Sequence, residues 1–176
     1  MRLEGRAALV IGPDSPWGAA LVRALGVAGA SIMGEEAERV DLLVEATSLP
    51  RLPALAEPAG EALALAARPL LRLPALAARL APGGALLLVS AVEGPAEGWL
   101  AAHLAFRAGF VAALARDLAP RGVRANGLVG PAPAARLPGF LARGKAAAAN
   151  GDMDLALALL ATPGLSGVTV PLGPGG

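Results

Sequence analysis

The chain contains no cysteine, no tyrosine and a single histidine, and aromatic residues make up only 3% of it. Without cysteine there are no disulfides and no thiolate metal sites, so the redox compartment is left open. Charged residues are few and of both signs, with a formal net charge of +1. They are scattered rather than gathered into the basic stripe that nucleic-acid binding needs. The longest uncharged run, Leu155 to Gly176, is broken by Gly and Pro and is no membrane helix. The amino-terminal stretch carries Glu4 and Asp14 and breaks at Gly12-Pro13, which makes a poor signal peptide. These absences predict a soluble, cytoplasmic protein without targeting signals. There is no internal repeat, and the one low-complexity patch, Lys145 to Asn150, is short.

What remains is 176 residues, the length of one domain spanning 1–176 and enough to bury a core. With so few aromatics, Leu, Val and Ala must do the packing, and Ala-rich helices can approach a sheet closely. Ala7 to Ile11 reads as a buried parallel strand, followed by a Gly, Pro, Asp and Ser turn from Gly12 to Gly18. Helical spacing runs from Trp17 to Ala28 and stops at Gly29-Ala30. Ser31 to Met33 and Asp41 to Ala46 are the next strands. Glu61 to Leu80 is helical, with Pro69 and Pro74 bending or splitting it. Ala85 to Ser90 is a buried strand, Gly98 to Ala119 a long helix and Arg124 to Val129 a strand. Asp152 to Ala161 is a helix and Val168 to Leu172 a final strand. The alternation predicts a parallel sheet with helices on both faces.

Three stretches in this order resemble the short-chain dehydrogenase/reductase family. LEGRAALVIG is similar to its first strand, and ALARDLAPRGVRANGLVGP to the passage from its long helix into the sixth strand, with Asn126 in place. DLALALLATPGLSGVTVPLGPGG is similar to its last helix, turn and strand. The resemblance implies a Rossmann-like, doubly wound α/β fold. It also implies a deletion. Only residues 34–40 separate Met33 from Asp41, where the family has a helix, a strand and a loop, and a crossover needs roughly a dozen residues. The expected sheet therefore has about six strands, one fewer than usual, the missing one following the second. The family's substrate loop is compressed into PAPAARLPGFLARG.

The resemblance places a dinucleotide's pyrophosphate at a Gly-x-x-x-Gly-x-Gly turn, where glycines admit the backbone and the helix dipole favours the anion. Here Gly12 and Gly18 remain, Pro16 replaces the middle glycine, Trp17 adds bulk and Asp14 adds a repelling charge. Proline removes a donor and fixes the backbone. Glu36 falls where the family carries an acid for the adenosine ribose, which implies NAD if any cofactor; alternatively Glu35 and Glu36 form a solvated turn. The family's Asn-Asn-Ala-Gly landmark appears as Glu45-Ala46-Thr47-Ser48.

Family chemistry uses a Tyr with a Lys four residues on, a Ser and an Asn, because hydride transfer to a carbonyl needs a proton donor poised near neutral pH. There is no Tyr here. Ala91 stands at the Ser position, and alternation turns Ser90 to the other face. The Asn position falls near Leu63. The Tyr and Lys positions fall on Leu100 and Leu104 without a gap, or on His103 and Arg107 after a shift of nearly one turn. His103 and Arg107 share a helix face, and the bland alternative is a polar face or a subunit contact.

No catalytic residue, metal or obligatory cofactor is expected. The leading reading is a non-catalytic subunit that pairs, through its two long helices, with itself or with an active family oxidoreductase. In the 98–119 helix, Leu100, Leu104, Ala108 and Val111 form one stripe, the expected sheet contact. Trp99, His103, Phe106 and Phe110 form another, which would be left for a partner. The alternatives are an atypical NAD-dependent oxidoreductase using His103 and Arg107, or a module that binds a nucleotide or acyl ligand. No nucleic acid and no membrane is expected as a partner.

Overall fold

The computed structural model describes residues 3–46, 70–91, 97–130 and 151–172, and at 91 and 97–104 the backbone alone. Strand β1 (Ala7–Ile11) lies between Gly5 and Gly12, whose φ angles of 75° and 74° are left-handed and end the extended run on both sides. Helix α1 (Pro16–Val27) begins at the N-cap Ser15 with proline in its first turn. It ends where the Gly29 amide turns back to Gly26 and the Ala30 amide to Leu25, with Gly29 at φ 93°.

Strands β2 (Ser31–Met33) and β3 (Val40–Glu45) follow, then the short helix α2 (Leu73–Ala78) and strand β4 (Leu80–Ala91). Helix α3 (Glu97–Leu118) runs through a 3-10 turn at Ala119–Arg121 into β5 (Arg124–Gly130). A helix over residues 151–161, here α4, leads to β6 (Thr169–Pro171). The six strands are all parallel, in the order β2-β1-β3-β4-β5-β6. A doubly wound dinucleotide fold has its third strand outside the second. Among the described residues that place is absent and β2 is the edge, as the short 34–40 connection requires. Arg72 and Arg79 close the gap: Arg72 Nη2 meets Glu35 Oε2 at 2.9 Å, and Arg79 Nη1 donates to the Glu35 carbonyl at 2.6 Å.

The central strands are buried on both sides. Ala8, Val10, Leu42, Val44, Leu87 and Val89 face α1 and α4. Leu9, Ile11, Leu43, Leu86 and Leu88 face α2 and α3. Gly127 lets α3 come close, since a Cβ there would sit 3.0 Å from Val111 Cγ2. Helix ends are tied by arginines. Arg124 donates to the Leu160 and Thr162 carbonyls at 2.9 and 2.7 Å, and Arg121 to those of Ala77 and Ala78 at 2.9 and 3.2 Å. Buried Asn126 donates to the Leu159 and Leu165 carbonyls and accepts from the Val168 amide, stapling α4 and its turn to β5.

The structure corrects three sequence expectations. Strand β4 begins at Leu80 rather than Ala85, because the 81–84 segment bulges while the ladder resumes: β3 moves from Val40 to Leu42 as β4 moves from Leu80 to Ala85. The helix expected up to Leu80 ends at Ala78, with a turn at Arg72 before Pro74; its part from Glu61 to Pro69 lies outside the described residues. The stripe of α3 that meets the sheet is Arg107, Val111 and Leu118, flanked by Phe110, Leu114 and Ala115, whereas Ala108 is exposed. The side chains of Trp99, Leu100, His103 and Leu104 lie outside the described residues.

Candidate functional site

Ligands of open α/β sheets bind beyond the carboxyl ends of the strands. At the end of β1 the turn from Gly12 to Gly18 is compact. The Ser15 amide donates to the Gly12 carbonyl at 3.1 Å. Gly18 packs directly on Gly12, so that a Cβ at Gly18 would stand 2.8 Å from the Gly12 carbonyl carbon and 2.9 Å from Pro13 Cα. Both expected glycines therefore have a backbone reason to be glycine that involves no ligand.

Two amides at this helix start are engaged within the chain. Pro16 has none. The Gly18 amide donates to Ser15 Oγ at 2.9 Å, and the Ala19 amide to the Ser15 carbonyl at 2.8 Å. The Ser15 hydroxyl in turn donates to the carbonyl of Ala46, beyond β3, locking the turn to the neighbouring strand. Trp17 points into the core, only 1% exposed, rather than over the turn. The Gly18 amide, at the helix start where anions commonly bind, is thus held by the Ser15 hydroxyl.

Glu36 is exposed in the loop after β2. Its carboxyl carbon lies 2.6 Å from where a Cβ on Gly34 would be, so it folds back on its own loop, and Glu35 is paired with Arg72.

One constellation escaped the sequence reading. Glu45 ends β3 and faces α3, because its neighbour Val44 faces the opposite layer. Arg107 occupies the sheet-facing stripe of α3, one turn before Val111. The two side chains are each 1% exposed, and Arg107 Nη1 lies 3.5 Å from Glu45 Oε2. Arg107 is thus neither a polar surface residue nor a subunit contact. Ser90, two residues past Leu88, faces the same layer and is fully buried. Arg107 Nε, Arg107 Nη2 and Ser90 Oγ have no hydrogen-bond partner among the described residues. Burial pushes the guanidinium below its usual pKa, and the charge and hydrogen bond of Glu45 oppose that only in part.

No protein-family model and no curated protein matches the sequence at a significant level. Solved structures do match. A dehydrogenase/reductase from Sinorhizobium meliloti superposes with a TM-score of 0.74 at 20% identity, covering 99% of this chain and 96% of that one. A short-chain dehydrogenase/reductase from Serratia marcescens gives 0.74 at 19% identity over 99% of both chains. The fold is that of the short-chain dehydrogenase/reductases. A 3-ketoacyl-(acyl-carrier-protein) reductase from Brucella melitensis, solved with NADH, has the same fold at a TM-score of 0.69 and 18% identity, over 97% of both chains.

Glu45 ends β3 and Ser90 lies near the end of β4, in the layer that Arg107 enters from α3. Among the described residues no group of three His, Asp or Glu side chains is placed to hold a metal, and no helix is long and apolar enough to cross a membrane.

Proposed function

We propose that the chain is a non-catalytic subunit on the short-chain dehydrogenase/reductase fold, which associates through its long helical segments with a second copy or with an active oxidoreductase of that fold. The observation that carries this reading is the hold of Ser15 on the start of α1, which takes up the Gly18 amide from within the chain and so speaks against a pyrophosphate there. The absence of tyrosine supports it, since no phenol is left to supply the proton. The alternative oxidoreductase, with His103 and Arg107 in place of Tyr and Lys, is less favoured because Arg107 reaches inward to Glu45.

The outer side of the α2–α3 layer supports association. Phe106 is 39% exposed and stacks on half-buried Phe110, with ring centroids 6.3 Å apart. Leu71, just before α2, is 76% exposed. Large apolar side chains left open on one helical layer are costly for a monomer and commonly mark an interface. Two measurements test the proposal. Calorimetric titration with NADH and NADPH should show no micromolar binding, and micromolar or tighter affinity for either overturns the non-catalytic reading. Size-exclusion chromatography with light scattering should show no stable monomer at micromolar concentration, and a well-behaved monomer overturns the association.

A further inference from the structure

We propose that Arg107 and Ser90 form a binding site for a small molecule bearing a carboxylate, at the carboxyl edge of the sheet between β4 and α3. The case starts from hydrogen-bond accounting. A guanidinium carries five N–H donors in a fixed plane. In Arg107 one nitrogen, Nη1, reaches Glu45, and at 3.5 Å that contact is longer than the 2.7–2.9 Å usual for a charge-assisted hydrogen bond. Nε and Nη2 have no partner among the described residues, although the side chain is 1% exposed. Those two nitrogens share one edge of the plane. Their N–H bonds run parallel and match the two oxygens of a carboxylate.

Ser90 adds a second, independent observation. Its hydroxyl is fully buried on a different element, faces the same layer and also lacks a partner. Buried polar groups are rarely left unsatisfied, and an orphan asks for a missing group. Here two orphans on β4 and α3 offer donors and no competing anion other than Glu45. Charge selects the ligand class. Arg107 and Glu45 are together neutral, so the free Nε–Nη2 edge suits a ligand bearing no more than one negative charge. A phosphate dianion would bring two charges toward Glu45, and a neutral amide brings none. A monoanionic carboxylate meets both the geometry and the charge.

This site is separate from the Gly12–Gly18 turn and does not rest on the association reading. The test uses the full-length chain labelled with nitrogen-15, titrated with sodium butyrate while the arginine Nε–Hε resonances and the melting temperature are followed. Sodium chloride at equal ionic strength, acetamide and inorganic phosphate are the controls. A buried arginine gives a resolved Nε–Hε signal, assigned by its loss in Arg107→Lys. Butyrate should shift it saturably and raise the melting temperature, while chloride and acetamide leave it in place and phosphate acts more weakly. Ser90→Ala removes the orphan hydroxyl, should fold at least as well as the parent chain, and should weaken butyrate binding about fivefold. Arg107→Lys keeps the charge but not the fork and should weaken it about tenfold or more. If Arg107→Lys fails to fold, Ser90→Ala decides. An unmoved Arg107 signal in tens of millimolar butyrate, an equal response to chloride, or unchanged affinity in Ser90→Ala overturns the proposal. Binding of NADH with no response to butyrate would defeat it together with the non-catalytic reading. The converse result would uphold both.

Discussion

Replacing both members of the buried Glu45–Arg107 pair by leucine is expected to cost almost nothing, whereas replacing either alone is expected to be severe. Each side chain is 1% exposed, so a single substitution breaks the 3.5 Å contact while one charge stays in the core. Removing one member of a buried pair costs about 3–5 kcal/mol. The lower end applies here, about 3 kcal/mol for each, because the contact is already long. Additive behaviour would put the double variant about 6 kcal/mol down. Yet Glu45→Leu/Arg107→Leu joins Leu43, Leu86, Leu88 and Val111 in an apolar layer and removes the two unpartnered nitrogens of Arg107. Apolar replacement of such a pair is often neutral or stabilising, so the double variant should lie within about 1 kcal/mol of the parent. The coupling is then about 5 kcal/mol. Urea unfolding followed by circular dichroism reads it directly. With a slope of about 2 kcal/mol/M, each single variant loses roughly 1.5 M in midpoint and the double variant less than about 0.5 M. A double variant as unstable as the sum of the singles would refute the reasoning, as would single variants that cost under about 1 kcal/mol.

Gly18→Ala drives a Cβ into the backbone of Gly12 and Pro13 and should destabilise by about 3 kcal/mol, lowering the melting temperature by roughly 6–12 °C; a shift under about 2 °C would contradict the packing of this turn. Ser15→Ala removes an N-cap and the tie to the Ala46 carbonyl and should cost about 1–2 kcal/mol in a denaturant titration, whereas a neutral result would mean that the cap is not what closes the turn. Under the proposed association, Phe106→Asp should yield a monomer or aggregate, since it places a charge on the exposed ring position of the α3 layer, and light scattering on the purified variant checks this.

The strands were legible because a parallel sheet covered on both faces reads as short continuous apolar runs, and AALVI, DLLVEA and ALLLVS are such runs. The deletion was legible as simple chain length between Met33 and Asp41. The early start of β4 was not, because Pro82, Gly83 and Gly84 look like a loop even though the ladder resumes past them. In the candidate site, Gly12 and Gly18 were found by their spacing, and Ser15 was overlooked although Ser before Pro is a helix-start signature. Arg107 was misplaced because α3 carries Ala, Leu and Phe nearly all round, which hides its phase. A signal did exist in Glu45: a charged residue inside a strand buried on both sides demands a cation from the covering helix, and Arg107 is four residues before Val111 on that helix.

Losing an outer strand exposes a new sheet edge, and open edges invite other chains to add on. Here the edge is β2, three residues long, with Ile32 and Met33 both more than a third exposed. Its length leaves an incoming strand very few ladder hydrogen bonds to gain. The loop that follows brings Glu35, Glu36 and Glu38, and Arg72 and Arg79 pin that loop to the body of the domain. An extending strand would therefore run into the Glu35 carboxylate, held by Arg72, two residues past Met33. The same short, arginine-clamped connection that stands in for the missing unit also acts as a gatekeeper, so the protein can be trimmed at this flank without its edge becoming a template for fibrils.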